Sequence, residues 1–406
     1  MKHYDIIISG GGIVGLAIAC GLQGIGLQVL IVECTKYKRV LNDDTIIQNT
    51  ERFSALNVAS KRFLQHLGIW QKILDIYATN PFYGVEVWDM DGCGKINFDS
   101  QKQRIKDPLG YIVSNQELHH MLWQYVQNSK DITIFTSVKF HNVSFESDHA
   151  ILTLENGSVL STYLVIAADG THSWIREHAN IPLTFWDYRH HALVATIRTE
   201  KPHQSVAYQI FHSESILAFL PLSDPYLSSI VWSVSPEKAS FLQTTSEILF
   251  NQYLSISHDL RLGLCRLASK RQTLPLTGCY AHNFAQHRLA LVGNSAHTIH
   301  PLIGQGLNLG LMDAAELISE IKRIHYQCCD IGQYKNLRAY ERRRKYSALL
   351  MLMGAQGFYL IFHGNHAEKK ILRNSLLMLV NQMPAVKFYL LQHAQGIINI
   401  PQWLLR

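Results

Sequence analysis

The apolar positions of this chain change period several times, and each change marks an element. Tyr4 to Ser9 (YDIIIS) is a short β-branched run that predicts one buried strand. After it Leu16, Ala17, Ala19, Leu22 and Leu27 predict a small-residue helix able to lie close on a sheet, and Gln28 to Val32 predicts a second strand. Glu51 to Trp70 buries Phe53, Leu56, Phe63, Leu64 and Leu67 if it forms one helix. Gly84 to Phe98 reads as two strands joined at the turn pair Asp91 and Gly92, and Asn115 to Trp123 opens another helix. A buried strand beginning at Tyr163 runs into Asp169 and Gly170 and then a helix start with Ser173, Trp174 and Arg176. Between about Leu183 and Leu276, the runs ALVATIR, VAYQIF, ILAFLPL and SSIVWSV alternate as an antiparallel sheet does. Leu289 to Val292 suits a last buried strand. Beyond Gly304, Gly306 and Asn308, apolar Leu307, Leu311, Ala314, Ala315, Leu317, Ile318 and Ile321 recur at helical spacing, and from Tyr334 onward the chain reads as helical.

Strands alternating with helices at both ends of the chain, and a long antiparallel run between them, predict an α/β protein. The expected architecture is a Rossmann-like nucleotide-binding unit with an inserted antiparallel-sheet domain and a helical C-terminal tail. The nucleotide unit is expected in three pieces, 1–80, 111–182 and 277–330, the inserted parts at 81–110 and 183–276, and the tail at 331–406.

Three stretches carry chemistry. In GGGIVG, Gly10, Gly12 and Gly15 fill a G-x-G-x-x-G pattern between a strand and a helix, and Glu33 closes the next strand. Glycines there let the backbone approach a pyrophosphate, and the acid accepts hydrogen bonds from ribose hydroxyls. The pattern alone does not separate FAD from NAD, but no Tyr-x-x-x-Lys pair of the short-chain dehydrogenase kind is present. Asp169 and Gly170 stand where ligands bind at the carboxyl end of a parallel strand, with Asp169 as a helix cap being the plain alternative. In RLALVGNSAHTIHPLIGQGLNLGLMDAAELISE, Gly304 and Gly306 flank Gln305, so the amides of Gly306, Leu307 and Asn308 would meet an anion or a polarised carbonyl at a positive helix end. The plain alternative is a helix cap in an ordinary αβ unit. Arg52 suits either a pyrophosphate counter-charge or an exposed cation at a helix end.

Composition narrows the field. The formal net charge of +6 is mild and spread out, compatible with phosphate-bearing cofactors or an anionic membrane surface and too diffuse for nucleic acid. Seven cysteines, without CxxC spacing, read as reduced thiols in a cytoplasmic protein. The 21 histidines include the adjacent pairs His119–His120 and His190–His191, which cannot share a helix face, and no HExxH pattern occurs, so no metal centre is expected. Tyr346 to Phe362 is apolar, short for a membrane span and broken by Gly354 and Gly357, with Arg342, Arg343, Arg344 and Lys345 before it. That arrangement suits a buried helix with a solvated basic face, or peripheral contact with an anionic inner-membrane surface.

Taken in order, GGGIVG with Glu33, Arg52 in RFSAL, AADGTHSWIR and LVGNSAHTIHPLIGQGLNLGLMD resemble the flavin-dependent aromatic hydroxylases of the p-hydroxybenzoate hydroxylase class. The closer likeness is to the ubiquinone-biosynthesis hydroxylases, whose signature HP-x-[AG]-GQG-x-N-x-G-x-x-D is nearly complete from His300 to Asp313. The resemblance spans essentially the whole chain. It implies an FAD monooxygenase that uses NAD(P)H as a transient co-substrate and dioxygen to hydroxylate the ring of a polyprenyl phenol, alongside other ubiquinone-biosynthesis proteins. It further implies that Gly10, Gly12, Gly15 and Glu33 hold the adenosine half of FAD, with Arg52 and Asn115 along the cofactor. Asp169 and Gly170 would lie near the pyrophosphate and the nicotinamide route, Gly293 and Asn294 at the ribityl chain, and Pro301 beside the flavin ring. Gly304 and Gln305 would shape the loop that leads to Gly306, Leu307 and Asn308 at the flavin's pyrimidine edge. The chain departs from the pattern at Asn294, where the family has Asp, and at Ile303, where it has Ala or Gly. Loss of that charge keeps an accessory scaffold role in the same assembly in view. A related flavin hydroxylase of a soluble aromatic is a third reading, against which the apolar tail argues. Tyr208, His212, Phe219 and Trp232 are either pocket lining or sheet core, and no substrate base is assigned.

Overall fold

The computed structural model describes every residue except 38–50, 77–78, 91, 101–106, 300–303, 363–366, 399 and 406. Its helices, in chain order, begin with α1 (Ile13–Leu22), α2 (Val58–His66), α3 (Trp70–Ile76) and α4 (Asn115–Gln127). They continue with α5 (Trp174–His178), α6 (Pro236–Thr244), α7 (Glu247–Ser257), α8 (Gly306–Tyr326), α9 (Tyr334–Phe362), α10 (Ala367–Gln382) and α11 (Pro384–Ala394). The first helix stops at Leu22, short of Leu27, because Gly24 and Gly26 take positive φ values of 75° and 86°.

Among the described residues the strands form three sheets. The first carries the nucleotide unit. Its neighbouring strands Leu289–Leu291, Val159–Ala167, Lys2–Ser9, Val29–Glu33 and Ile132–Thr136 all run parallel. The first four are largely buried on both sides and carry the apolar runs seen in the sequence, while Ile132–Thr136 is mostly half-buried. Helices α1, α4 and α8 pack together beside this sheet.

The second sheet is antiparallel around the long strand Leu183–Thr199, which pairs with Leu227–Val234 on one side and Gln272–Ala281 on the other. The strands 84–89 and 95–99 form the expected hairpin, and they join this sheet because Gly84–Asp89 runs parallel to Val206–Phe211. At the opposite edge, His297–Thr298 pairs with Cys279 and Tyr280, so the segment just past Gly293 belongs to the second sheet.

One element differs from expectation. Glu51 to Trp70 is not a single helix: Phe53–Leu56 is a strand bonded to Gly110–Ser114, and the helix starts only after Asn57, whose side chain accepts from the Ser60 amide. An Asx cap resets the backbone there, and pairing with 110–114 satisfies the amides upstream of it.

Tyr208, Phe219 and Trp232 lie on the sheet face covered by α6 and α7, in a core with Phe250 and Leu254. Phe219 and Trp232 are core residues, Tyr208 is half-buried against them, and His212 sits in the turn between two strands, where its amide donates to the Ser215 carbonyl. The tail is helical as expected, and no described helix is long and apolar enough to cross a membrane.

Candidate functional site

Three neighbouring parallel strands end at one level and release three loops side by side. Ser9 is level with Ala167 and Ala167 with Leu291, so Gly10, Asp169 and Gly293 follow strand ends in adjacent positions of the sheet. Backbone bonds extend the ladder past the strands: Ala168 donates to the Ser9 carbonyl (2.8 Å) and Val292 to that of Ala167 (3.0 Å). Val14, in the first turn of α1, packs on Gly293 and Gly310, which draws the start of α8 to the same place. The ends of parallel strands at such a point are where α/β sheets bind ligands.

The glycine loop is built for close approach. Gly10 has φ +103°, and a Cβ there would stand 2.5 Å from the Ala168 carbonyl oxygen; at Gly15 it would stand 2.2 Å from that of Gly10. Neither site admits a side chain. Gly12, by contrast, faces open space and opens α1 with no side-chain cap. Glu33 closes the next strand, its Oε2 accepting from the Gly11 amide (2.7 Å) and its Oε1 from the Thr35 amide (2.9 Å) and hydroxyl (2.7 Å). Burial opposes ionisation of Glu33, but those bonds outweigh it and hold the carboxyl below its usual range.

Asp169 accepts from the Ile175 amide through Oδ2 (3.2 Å), so the capping role is real. It is half the story, because Oδ1 is buried without a partner among the described residues, and burial raises the carboxyl's pKa. Gly170 follows with φ +86° and faces open space. Ser173 caps α5, while Arg176 binds the Ser295 carbonyl (2.9 Å) and the Thr171 carbonyl (3.0 Å), joining this loop to the next.

That next loop is a short 3₁₀ turn, Gly293–Ser295, with Asn294 exposed at its tip. Ser295 Oγ donates towards the Ala167 carbonyl and receives the Val292 amide (3.1 Å). Beneath the turn lies Asp313, completely buried. Its Oδ2 accepts from the Gly293 amide (2.9 Å) and meets His297 Nε2 (2.6 Å), and its Oδ1 accepts from Arg344 Nε (2.6 Å). Burial alone would raise this carboxyl, but His297 and Arg344 hold it below the usual carboxylate range.

At the start of α8, Gly304 takes φ +61° and Gly306 faces open space, while Gln305 precedes the helix without capping it by its side chain. Gln305 instead bonds Asn57 and the Ala394 carbonyl. Asn308 is turned inward: its Oδ1 accepts from the Asn57 amide (2.9 Å) and Ser60 Oγ (2.7 Å), and its Nδ2 donates to the Ala55 carbonyl (2.8 Å). The side chain therefore pins the helix start while the amides of Gly306, Leu307 and Asn308 lack intrahelical acceptors. Leu307 is half-buried beside them. Pro301, like Ile303, lies outside the described residues.

Arg52 is exposed, and its carbonyl accepts from the Asn115 amide (2.9 Å). Asn115 begins α4 behind the cap Ser114, with its Oδ1 buried and unpartnered among the described residues. Nearby Glu117 is pushed up to about 7 by burial and by the charge of Glu51. The basic run before the apolar stretch of α9 is solvated as expected at Arg342 and Arg343, half-buried at Lys345 and internal only at Arg344. Arg344 binds Asp313, Arg343 pairs with Glu316 and Glu320, Lys345 donates to the His282 carbonyl, and Arg342 stays exposed.

These features fit a dinucleotide cofactor. Helices α2, α4, α5, α6 and α7 each begin with an Asn or Ser whose side chain caps the first turn, whereas α1 and α8 present bare amides to the cleft. Residues 3–353 match the family described as FAD binding domain. The chain belongs to this family. Its cofactor is FAD. The chain is 31% identical to the 3-demethoxyubiquinol 3-hydroxylase of Escherichia coli K12 over 97% of this chain and 98% of that protein. It is also 31% identical to a mitochondrial ubiquinone biosynthesis monooxygenase of Danio rerio, over 95% of this chain and 88% of the relative. The fold of p-nitrophenol 4-monooxygenase from Pseudomonas putida superposes with TM-score 0.78 at 16% identity, covering 97% of this chain and 98% of that one. Among the described residues no cluster suited to a metal ion occurs.

Proposed function

We propose that this chain is an FAD-dependent monooxygenase that hydroxylates the aromatic ring of a polyprenyl-phenol intermediate in ubiquinone biosynthesis, with NAD(P)H and dioxygen as co-substrates. The observation that carries the reading is the convergence of the Gly10, Asp169 and Gly293 loops, at the ends of three adjacent strands, with the bare start of α8. The named relatives supply the substrate class.

In this reading Gly10, Gly12 and Gly15 admit the pyrophosphate to the amides of α1, and Glu33 takes the adenosine ribose. Arg52 and Asn115 lie along the cofactor, the unpartnered oxygens of Asn115 and Asp169 await donors, and Gly170 keeps the nicotinamide route open. Gly293 and Asn294 meet the ribityl chain. Gly304 and Gln305 shape the approach to the flavin ring, with Pro301 beside it, and Gly306, Leu307 and Asn308 offer amides to its pyrimidine edge. Bound FAD supplies the redox chemistry, accepting reducing equivalents from NAD(P)H and delivering one atom of dioxygen to the ring. The protein positions the ring, excludes water and holds fixed N–H dipoles where negative charge develops at the positive end of α8.

The same reading places the protein in the cytoplasm, at the inner face of a membrane that holds its polyprenyl substrate. Exposed Tyr346, Met353, Ile371, Leu379, Phe388 and Tyr389 on α9 to α11 support such peripheral contact. The test is the absorbance spectrum of the purified protein, then NAD(P)H oxidation with and without a polyprenyl phenol, with hydroxylated product quantified. An oxidised-flavin spectrum and substrate-stimulated, product-coupled oxidation are expected. A flavin-loaded protein that turns over no polyprenyl phenol refutes the reading, and a colourless one that co-purifies with partner hydroxylases replaces it with a scaffold role.

A further inference from the structure

A cavity of about 390 Å³ lies behind the nucleotide unit, lined by residues that the cofactor does not use, among them Gln23, His66, Tyr125, Lys322 and Trp403. Its volume falls in the range of small-molecule sites. Gln23 follows the far end of α1, roughly 15 Å along the helix from the bare amides at its start, and Lys322 stands about 24 Å along α8 from Gly306. The cavity is therefore separate from the flavin cleft, though the two helices that wall it are those that open on the cofactor.

Its chemistry is one-sided. None of the lining residues is an acid, and among the described residues Lys322 has no ion pair or hydrogen bond. Lys72 adds a second ammonium, 4.9 Å over the ring of Tyr125. Burial makes protonation of Lys322 harder, and burial together with the Lys322 charge does the same for His66. Two helices end at the cavity, and of their last carbonyls those of Phe63, Leu64 and Gln65 in α2 are taken by the amides of Leu67 (3.0 Å), Ile69 (3.0 Å) and Gly68 (2.9 Å), and that of Cys20 in α1 by the amide of Gln23 (3.4 Å). Two more polar atoms wait at the cavity. Trp403 Nε1 and Gln23 Oε1 are buried with no partner among the described residues. A buried donor or acceptor without a partner is costly, and one of each on residues that line the same cavity points to a ligand that supplies an acceptor to Trp403 and a donor to Gln23. Trp403 also sets its ring edge against His66 (centroids 4.5 Å, 73° between planes), which leaves aromatic surface beside the cationic groups.

We infer that this cavity binds a small organic anion, with its carboxylate or phosphate held by Lys322, His66 and the Trp403 N–H and its apolar body lying between Tyr125 and Trp403. The Gln23 carbonyl oxygen would receive a hydroxyl or amide of the same ligand.

The test uses the FAD-loaded full-length protein with two probes, benzoate and inorganic phosphate, read by tryptophan fluorescence and by melting temperature. Benzoate is expected to quench fluorescence and raise the melting temperature, and phosphate, lacking the apolar body, to bind about tenfold more weakly or worse. Lys322→Met should weaken benzoate binding by about tenfold or more, since it removes a charge-assisted bond. Trp403→Phe, which keeps the ring and loses the N–H, should weaken it by a few-fold and gives a second variant that does not depend on how Lys322→Met folds. The flavin spectrum reports whether either probe reaches the cofactor cleft and should not move. Absence of benzoate binding, or binding unchanged in both variants, overturns the inference whatever the outcome for ring hydroxylation.

Discussion

Among the described residues two aspartate–arginine pairs are buried, in different surroundings. Asp89 at the end of a hairpin strand meets Arg373 of α10, with both side chains fully buried. Asp313 of α8 meets Arg344 of α9, and its carboxylate also holds the Gly293 amide and His297. Desolvating two charges costs several kcal/mol per ion, so each pair stands only if geometry and added hydrogen bonds offset that cost. At Asp89 the result is an anchor for the tail on the second sheet. At Asp313 one carboxylate fastens the tail, a strand of the second sheet and the turn that presents Asn294. The lesson is that equal burial and equal charge do not mean equal consequence: the Asp313 carboxylate also holds the backbone of the Gly293 turn.

The largest effect should break the two apart. Asp313→Asn leaves Arg344 uncompensated and is expected to cost about 3–5 kcal/mol of stability, with Asp89→Asn costing a similar amount at Arg373. FAD affinity, read by flavin fluorescence during titration of the apoprotein, should fall by about tenfold or more in the first variant and by no more than about twofold in the second. Equal losses of FAD affinity would mean that the Gly293 link carries nothing.

Acid titration sharpens the comparison. Asp313 has its pKa depressed in the fold, so its contribution is present above the ordinary carboxylate range and lost as pH falls through the folded value. His258, packed against Phe219 with both ring nitrogens unpartnered among the described residues, is pushed down by burial to about 4. The unfolded chain binds that proton near pH 6.5, so stability from a neutral His258 is present above that and drains away between there and about pH 4. The two-and-a-half-unit gap corresponds to at most about 3 kcal/mol. Unfolding free energy measured against pH should thus fall in two stages. His258→Phe should flatten the upper stage and leave the lower one in place.

Two smaller changes probe the turn itself. Ser295→Ala removes the hydroxyl that stitches the turn to the strand ending at Ala167 and should cost about 1 kcal/mol in denaturant unfolding. Asn294→Asp should leave stability within about 0.5 kcal/mol, since the side chain is exposed, and tighten FAD by a few-fold through a charge-assisted acceptor. A weakening would show that the turn does not face ribityl hydroxyls.

Much of this was legible in the chain. Apolar periodicity located four of the five parallel strands because burial on both faces leaves their centres apolar, as at Ile6–Ile8 and Leu289–Leu291, and the glycine spacing located Gly10 and Gly15 because the fold there has no room for a Cβ. The segment Phe53–Leu56 was not legible as a strand, since its apolar spacing also fits a helix and only its partner at 110–114 settles the choice. Nor were Asn57 and Ser60, which hold Asn308 from 248 or more residues away in sequence. Arg344 looked like a solvent charge, because its acid, Asp313, lies on another helix.

The sequence by itself determined the order of strands and helices, the close backbone approach at the glycine loop and the membership of an FAD-binding family. Those properties depend on residue type and local spacing. Tertiary structure decided which helix starts stay bare, which charges are internal and which oxygens remain unpartnered, because a side chain's partner is set by what packs beside it. Asp313 carries the same letter in any context, and only burial beneath Gly293 makes it the support of that turn.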